Sequence, residues 1–212
     1  VHKLHLLFSK FESSTLTNAI NKTKVSEFFD NSLKVQFSQN SYRTQSDSEL
    51  KLNIKRCLNY YISEDNRREV LDILADFLNF SYYSTDVYIN TQQLSEMHFS
   101  GMGIGAHTVN HPILSKLRYD EKRYEIGQSI EFIRKLVGVC KYFSYPHGRV
   151  GTYDEDDLNL VKEFDCLGFT VDDQEAQPLL KNKGFGENLK RLDCNQFPYG
   201  NINTICEKDI IN

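Results

Sequence analysis

The N-terminal part of the chain carries apolar residues at the three- and four-residue spacing of amphipathic helices. Leu4, Leu7 and Phe8 fall on one helical face near its start, and residues 65–80 repeat this spacing after an acidic beginning that favours a helix N-terminus. The pattern predicts a helical region over residues 1–85. Within it, residues 38–49 are rich in Ser, Gln, Asn and Asp without an apolar period, which predicts a solvated loop or linker.

From residue 86 the pattern changes to short apolar runs that alternate with amphipathic helices. Such alternation is typical of βα units around a mainly parallel sheet. The predicted strands lie in the segments 103–108, 141–146, 166–172 and 189–197. The predicted helices are one over 91–102 capped by Thr91, one from 119 that ends at Gly138, and one opened by Asp154. Residues 86–212 are therefore predicted to form an α/β region.

Composition and charge narrow the classes of partner. The 212 residues are 40% hydrophobic, which is enough for a core, and the net charge is -4, from 25 basic and 29 acidic residues. Without a basic stripe the chain is not expected to bind nucleic acid, and no apolar run approaches the roughly 20 residues of a membrane-spanning helix. Five cysteines without a CxxC motif suggest reduced thiols and favour a cytoplasmic location.

Two of the six histidines, His107 and His111, lie four residues apart in the segment "GIGAHTVNHPILS". Pro112 disfavours a helical conformation at His111, so a rigid turn after a strand is expected rather than a helical face. Neutral imidazoles are good ligands for Zn²⁺, but a catalytic zinc usually takes three protein ligands and a water. The pair is thus an incomplete metal site, and two ordinary polar loop residues are the alternative interpretation.

The segments "GMGIGAHTVNHPILSKL", "YDEKRYEIGQS" and "YFSYPHGRVGTYD" together resemble, in order and spacing, the polysaccharide deacetylase family, also called the NodB homology domain or carbohydrate esterase family 4. In that family an H-[ST]-x-x-H segment supplies two metal ligands. The resemblance implies that His107 and His111 bind Zn²⁺ or another divalent metal, with Thr108 bracing the turn between them.

The segment Ser144–Gly148 is similar to the family's R-x-P-Y-G motif, which lines the substrate groove. The resemblance implies a substrate-binding role for Tyr145, Pro146 and Gly148, and a catalytic role for His147, whose backbone N–H would stabilise the oxyanion. Ser144 stands where many members have an arginine that orients a catalytic aspartate.

Two later residues are further candidates by resemblance. Asp172 lies at the end of a predicted strand, where a carboxylate in some members tunes the histidine that acts as general acid. A residue of a solvated turn is the alternative interpretation. Arg191, in "LKRLDC", would face the site; a surface ion pair is the alternative. The late histidine that serves as general acid in better-known members has no match in this chain.

The family's opening T-F-D-D segment, which carries the general base and the third metal ligand, also has no match. The chain begins at Val1, which suggests a fragment or processed product, and we expect this piece alone to be nearly inactive. The expected fold is an α/β, distorted (β/α) barrel of the polysaccharide deacetylase type, lacking its first strands. Residues 1–85 would be a helical insertion and residues 86–212 the C-terminal part of the barrel.

By resemblance, the function is metal-dependent hydrolysis that removes N-acetyl groups from a polysaccharide or a sugar precursor. Two alternatives stay open at this point. One is a non-catalytic carbohydrate-binding or assembly module derived from a deacetylase; the other is an enzyme that hydrolyses a different amide or ester at the same metal site. The sequence does not determine the sugar or the oligomeric state.

Overall fold

The computed structural model describes residues 2–38, 41–42, 47–81, 88–171 and 189–191. The chain divides into two compact units, an N-terminal unit, Val1–Tyr88, and a C-terminal unit, Ile89–Asn212. Each is described by itself. Within the described residues, no helix combines the length and the apolar character needed to cross a membrane.

The N-terminal unit is helical where the structure describes it, as the apolar spacing predicts. Its helices are α1 (His2–Lys10), α2 (Ser13–Thr23), α3 (Asn31–Phe37), α4 (Glu49–Asn59) and α5 (Glu64–Phe77), with a 3-10 turn at Val25–Phe28. Helix α5 begins where the Ser63 hydroxyl accepts a hydrogen bond from the Asn66 amide at 3.4 Å. Apolar side chains from these helices, including Leu7, Leu16 and Leu74, are fully buried in one core.

The C-terminal unit combines helices with a small parallel sheet, which is consistent with the α/β class. Its helices are α6 (Thr91–Phe99), α7 (Tyr119–Val137) and α8 (Glu155–Glu163), and a 3-10 turn covers Leu114–Lys116. Its strands are β1 (Tyr142–Ser144), β2 (Leu167–Val171) and β3 (Leu189–Arg191), ordered β1-β2-β3 and all parallel. Helix α8 forms the crossover between β1 and β2, as parallel neighbours require. The register pairs Phe143 with Gly168 and Val171 with Arg191.

Helices α7 and α8 have the boundaries that their sequences predict. Gly138 ends α7 in the left-handed region, at φ 83°, which glycine adopts without a Cβ penalty. The Asp154 carboxylate caps α8 by accepting hydrogen bonds from the Asp156 and Asp157 amides. Both features are local to a few residues, which is why they could be predicted.

Two local predictions in this unit are wrong. Helix α6 is capped by Asn90 rather than Thr91: Asn90 Oδ1 accepts from the Gln93 amide at 2.9 Å, and Gln93 Oε1 accepts from the Asn90 amide at 2.8 Å. The segment 103–108 is not a full strand, because only Ala106 pairs, through a parallel bridge to Phe143.

Gly105 lies against β1 just before this bridge. A Cβ at Gly105 would lie 2.9 Å from the Tyr142 carbonyl oxygen, so the backbone approaches β1 closely at this point. Two hydrogen bonds then hold Ala106 beside the strand, from its amide to Tyr142 O at 2.8 Å and to its carbonyl from Ser144 N at 2.9 Å. The backbone turns away directly afterwards, and this delivers the next residue, His107, to the end of β1.

Candidate metal-binding site

His107 is fixed by a hydrogen bond to the last residue of β1. Its Nδ1 lies 2.5 Å from the Ser144 carbonyl oxygen, and because a carbonyl can only accept, Nδ1 carries the proton. The lone pair of the neutral ring is therefore on Nε2. Metal-binding histidines are commonly oriented in this way, by donating their second ring N–H to a carbonyl. Ser144 thus orients His107 through its backbone carbonyl. This contact does not depend on the arginine side chain that many family members have at this position.

The turn from His107 to His111 is not helical, as the following proline predicts. Thr108 and His111 both have left-handed backbone conformations, with φ of 64° and 55°. The Thr108 hydroxyl oxygen accepts from the His111 amide at 3.0 Å and donates to the His107 carbonyl at 2.6 Å, so Thr108 spans the turn as expected. Left-handed residues other than glycine are strained, and such strain is concentrated at functional sites.

Three imidazole rings lie side by side at this turn. The ring centroids of His107 and His111 are 4.7 Å apart with an interplanar angle of 83°, and those of His111 and His147 are 5.0 Å apart at 72°. His107 is exposed, whereas His111 and His147 are half-buried. The structure therefore brings the predicted histidine pair together and adds the side chain of His147, for which the sequence suggested a backbone role alone.

The second motif forms a tight turn between β1 and the end of β2. The Tyr145 amide donates to Phe169 O at 3.0 Å, the Gly148 amide to Pro146 O at 2.6 Å, and the Val171 amide to Gly148 O at 2.7 Å. His147 and Gly148 are both left-handed, at φ of 60° and 67°. A side chain at Gly148 would also meet Val171 N and Cγ2 at 3.0 Å, so this position requires glycine.

Tyr145 has no exposed surface, so in this structure its side chain packs in the core. Its ring stacks on Tyr153 at a centroid distance of 5.0 Å and meets Phe143 edge-on at 5.2 Å. Burial raises the pKa of the Tyr145 phenol well above its ordinary value, which excludes it as an acid or base near neutral pH. The predicted contact between Tyr145 and substrate is therefore not supported by its position. Pro146 and Gly148 are also buried, and the half-buried His147 lies between them.

Glu125 is part of this region although the sequence analysis did not identify it. It is 7% exposed, and its carboxylate accepts hydrogen bonds from the Val109 amide, the Asn110 amide and Asn110 Nδ2 at 2.8, 2.8 and 2.6 Å. The burial of Glu125 is seen only in the structure, where Glu125 lies one helical turn before Ser129 on the buried face of α7.

The two late candidates are described in part or not at all. Asp172 lies outside the described residues. Arg191 is the last residue of β3 and pairs with Val171, the residue whose amide bonds to Gly148. The backbone of Arg191 is thus separated from the second motif by β2, while its side chain lies outside the described part of the chain.

The residues present fit part of a metal site. His107 offers an oriented Nε2, the His111 ring is adjacent, and imidazole is a suitable ligand for zinc and several other divalent metals. Among the described residues, however, no group of three or more His, Cys, Asp or Glu side chains is arranged to hold a metal ion. The histidine pair would therefore need a further ligand.

The chain is similar to a known protein family and to a solved structure. The polysaccharide deacetylase family model matches residues 59–168, slightly more than half of the chain. No curated protein matches significantly. Among solved structures, the chain is similar to the Streptococcus pyogenes deacetylase PplD in complex with acetate, with 22% identity and a TM-score of 0.44, over 61% of this chain and 60% of that one. The chain thus spans less than two thirds of that protein's length. By its family match, the chain belongs to the polysaccharide deacetylase family.

Proposed function

We propose that this protein is a metal-dependent deacetylase that removes N-acetyl groups from a polysaccharide or a sugar precursor by hydrolysis of the acetamide C–N bond. The observation that carries the proposal is the adjacent pair of imidazoles, 4.7 Å apart, in which His107 is oriented by the Ser144 carbonyl. Membership of the polysaccharide deacetylase family supports the same reaction class.

In this proposal His107 Nε2 and the His111 ring hold Zn²⁺ or another divalent metal. When bound, the metal acts as a Lewis acid and lowers the pKa of a water that it coordinates. His147 lies in a left-handed turn, and by the family resemblance its backbone N–H would stabilise the oxyanion that develops on the acetamide carbonyl. Pro146 and Gly148 hold that N–H in place through the tight turn.

The rest of the machinery is proposed from the family resemblance. A third ligand and a general base would come from a segment equivalent to T-F-D-D. Asp172 and Arg191 would be further catalytic residues, with Arg191 facing the site. The chain would form part of a distorted (β/α) barrel, with residues 1–85 as a helical insertion and residues 86–212 as the barrel portion. Its partner is an N-acetylated carbohydrate, and we propose a cytoplasmic location from the cysteine content.

Metal binding by the intact protein, including any segment that supplies the third ligand, tests the proposal directly. We expect His107→Ala and His111→Ala to weaken Zn²⁺ binding strongly, whereas His98→Ala, in α6, serves as the matched control and binds like the wild type. Equal and negligible zinc binding by the wild type and His107→Ala would overturn the proposed site. Acetate release from N-acetylated oligosaccharides should be nearly absent in this chain alone; strong release would show that no further segment is needed.

A second candidate function is a non-catalytic carbohydrate-binding or assembly module. Ser144 at the family's arginine position favours it, as does the lack of a T-F-D-D match. Such a module would bind oligosaccharides equally well in the wild type and in His107→Ala, and would release no acetate. An enzyme acting on another amide or on an ester would instead be revealed by release from O-acetylated, but not N-acetylated, sugars.

A further inference from the structure

The metal-binding turn is held from one side by a buried carboxylate. Two consecutive residues of this turn, Val109 and Asn110, donate three hydrogen bonds to the Glu125 carboxylate. These residues lie between His107 and His111 in the chain. A contact to Val109 and Asn110 therefore acts on both histidines at once.

The two carboxylate oxygens have separate partners. Glu125 Oε2 accepts from both backbone amides, each at 2.8 Å, and Oε1 accepts from Asn110 Nδ2 at 2.6 Å. Hydrogen bonds to an ionised acceptor are short and strong, and a buried carboxylate depends on them because it has lost its water. The carboxylate and the turn thus stabilise each other.

The turn needs such support because its backbone is strained. Thr108 and His111, on either side of the two donors, have left-handed φ angles. Conformations of this kind persist only where surrounding contacts determine them. Glu125 projects from α7, a regular helix of 19 residues, and so connects the strained turn to a rigid element.

We propose that Glu125 is the positioning residue of the metal site: its carboxylate fixes the Val109–Asn110 backbone so that His107 and His111 are presented to the metal in a preorganised turn. This inference rests on the proposed function, since it requires that the two histidines bind a metal. Glu125 itself is not a ligand in this arrangement, because its oxygens are directed to the turn.

The test compares Zn²⁺ affinity among variants of the intact protein, measured by competition with a chromophoric chelator. We expect Glu125→Ala to lower the affinity by about tenfold or more, the size of effect typical of residues that orient metal ligands. Glu125→Gln should stay close to the wild type, because its amide oxygen can replace Oε2 and keep both backbone hydrogen bonds. Its amide nitrogen, in the place of Oε1, can donate to Asn110 Oδ1 once the Asn110 side-chain amide flips. Glu131→Ala is the matched control, since Glu131 lies on the same helix and pairs with Arg134 instead.

Comparing Glu125→Asp with Glu125→Gln separates the effect of side-chain length at this position from the effect of its negative charge. Glu125→Asp keeps the charge but withdraws the oxygens by one methylene, so it should bind zinc more weakly than Glu125→Gln. This order also decides the outcome if Glu125→Ala does not fold. Urea unfolding of each variant without metal gives its free energy of unfolding. This measurement shows whether a change in Zn²⁺ affinity is larger than the loss of stability explains.

The outcomes distinguish this inference from the proposed function. If the wild type binds zinc no better than His107→Ala, the metal site itself is refuted. The positioning role alone is refuted if the wild type binds zinc more tightly than His107→Ala and Glu125→Ala binds zinc as tightly as the wild type. It is also refuted if Glu125→Asp binds zinc as tightly as Glu125→Gln. The positioning role is supported if Glu125→Ala and Glu125→Asp bind zinc weakly while Glu125→Gln binds it about as tightly as the wild type.

Discussion

Asp157 provides a pH-dependent test of the packing at the start of α8. It lies in the first turn of α8 and has no exposed surface. Its Oδ2 accepts from the Asp154 amide at 2.9 Å and lies 3.7 Å from Lys122 Nζ, and Lys122 also pairs with the Asp154 carboxylate. Among the described residues, Asp157 Oδ1 accepts no hydrogen bond.

Burial raises the pKa of the Asp157 carboxyl to about 7, even though Lys122 acts in the opposite direction. The folded chain therefore binds a proton at Asp157 that the unfolded chain, with a pKa near 3.8, releases. This contribution to stability is complete below pH 4 and is lost as the pH rises through 7. A shift of about three units corresponds to about 4 kcal/mol as an upper limit, and local relaxation around the charge reduces it.

The perturbation is Asp157→Asn, which keeps an acceptor for the Asp154 amide but cannot ionise. We expect the free energy of unfolding of the wild type, relative to Asp157→Asn, to fall by about 1–3 kcal/mol between pH 5 and pH 8. Because the chain has two units, urea unfolding is followed by pulsed hydrogen exchange of the peptide that spans α8. The exposed Asp156→Asn, in the same helical turn, is the control and should track the wild type.

The comparison between variants cancels the carboxyls whose lowered pKa does not depend on Asp157, such as Glu163, which pairs with Arg123, because they are the same in both chains. An equal pH dependence in the wild type and in Asp157→Asn would refute the reasoning. So would a wild type that gains stability relative to Asp157→Asn as the pH rises.

Three further predictions concern local contacts. Gly148→Ala should destabilise the chain by about 1–3 kcal/mol, because φ is left-handed and the new Cβ meets Val171; unchanged urea stability would contradict this. Thr108→Val should weaken Zn²⁺ binding, while Thr108→Ser, which keeps the hydroxyl acceptor for the His111 amide, should not; equal affinities would exclude a role for that hydrogen bond. Asn90→Ala should destabilise α6 by about 1 kcal/mol, seen as faster amide exchange in its first turn, unlike Asn90→Asp.

Much of the secondary structure could be predicted because its determinants are local. The apolar spacing identified α5 and α7, and Gly138 and Asp154 marked helix ends that the structure confirms. The errors arose where a neighbouring choice was equally local. Asn90 and Thr91 are both good caps, and Gln93 decides between them by completing a capping box with Asn90.

The histidine pair belongs to the part that the sequence alone determined. His107 and His111 are four residues apart, with Thr108 between them and Pro112 after them. This local pattern specifies a non-helical turn that Thr108 braces, through contacts between residues no more than three apart in the sequence. The tertiary structure decided the rest of the site. His147 reaches His111 because a bridge places Ala106 beside β1, and Glu125 reaches Asn110 across 15 residues from α7. The physical reason is that contacts between distant residues depend on how strands and helices pack, and periodicity within a segment carries no information about its neighbours.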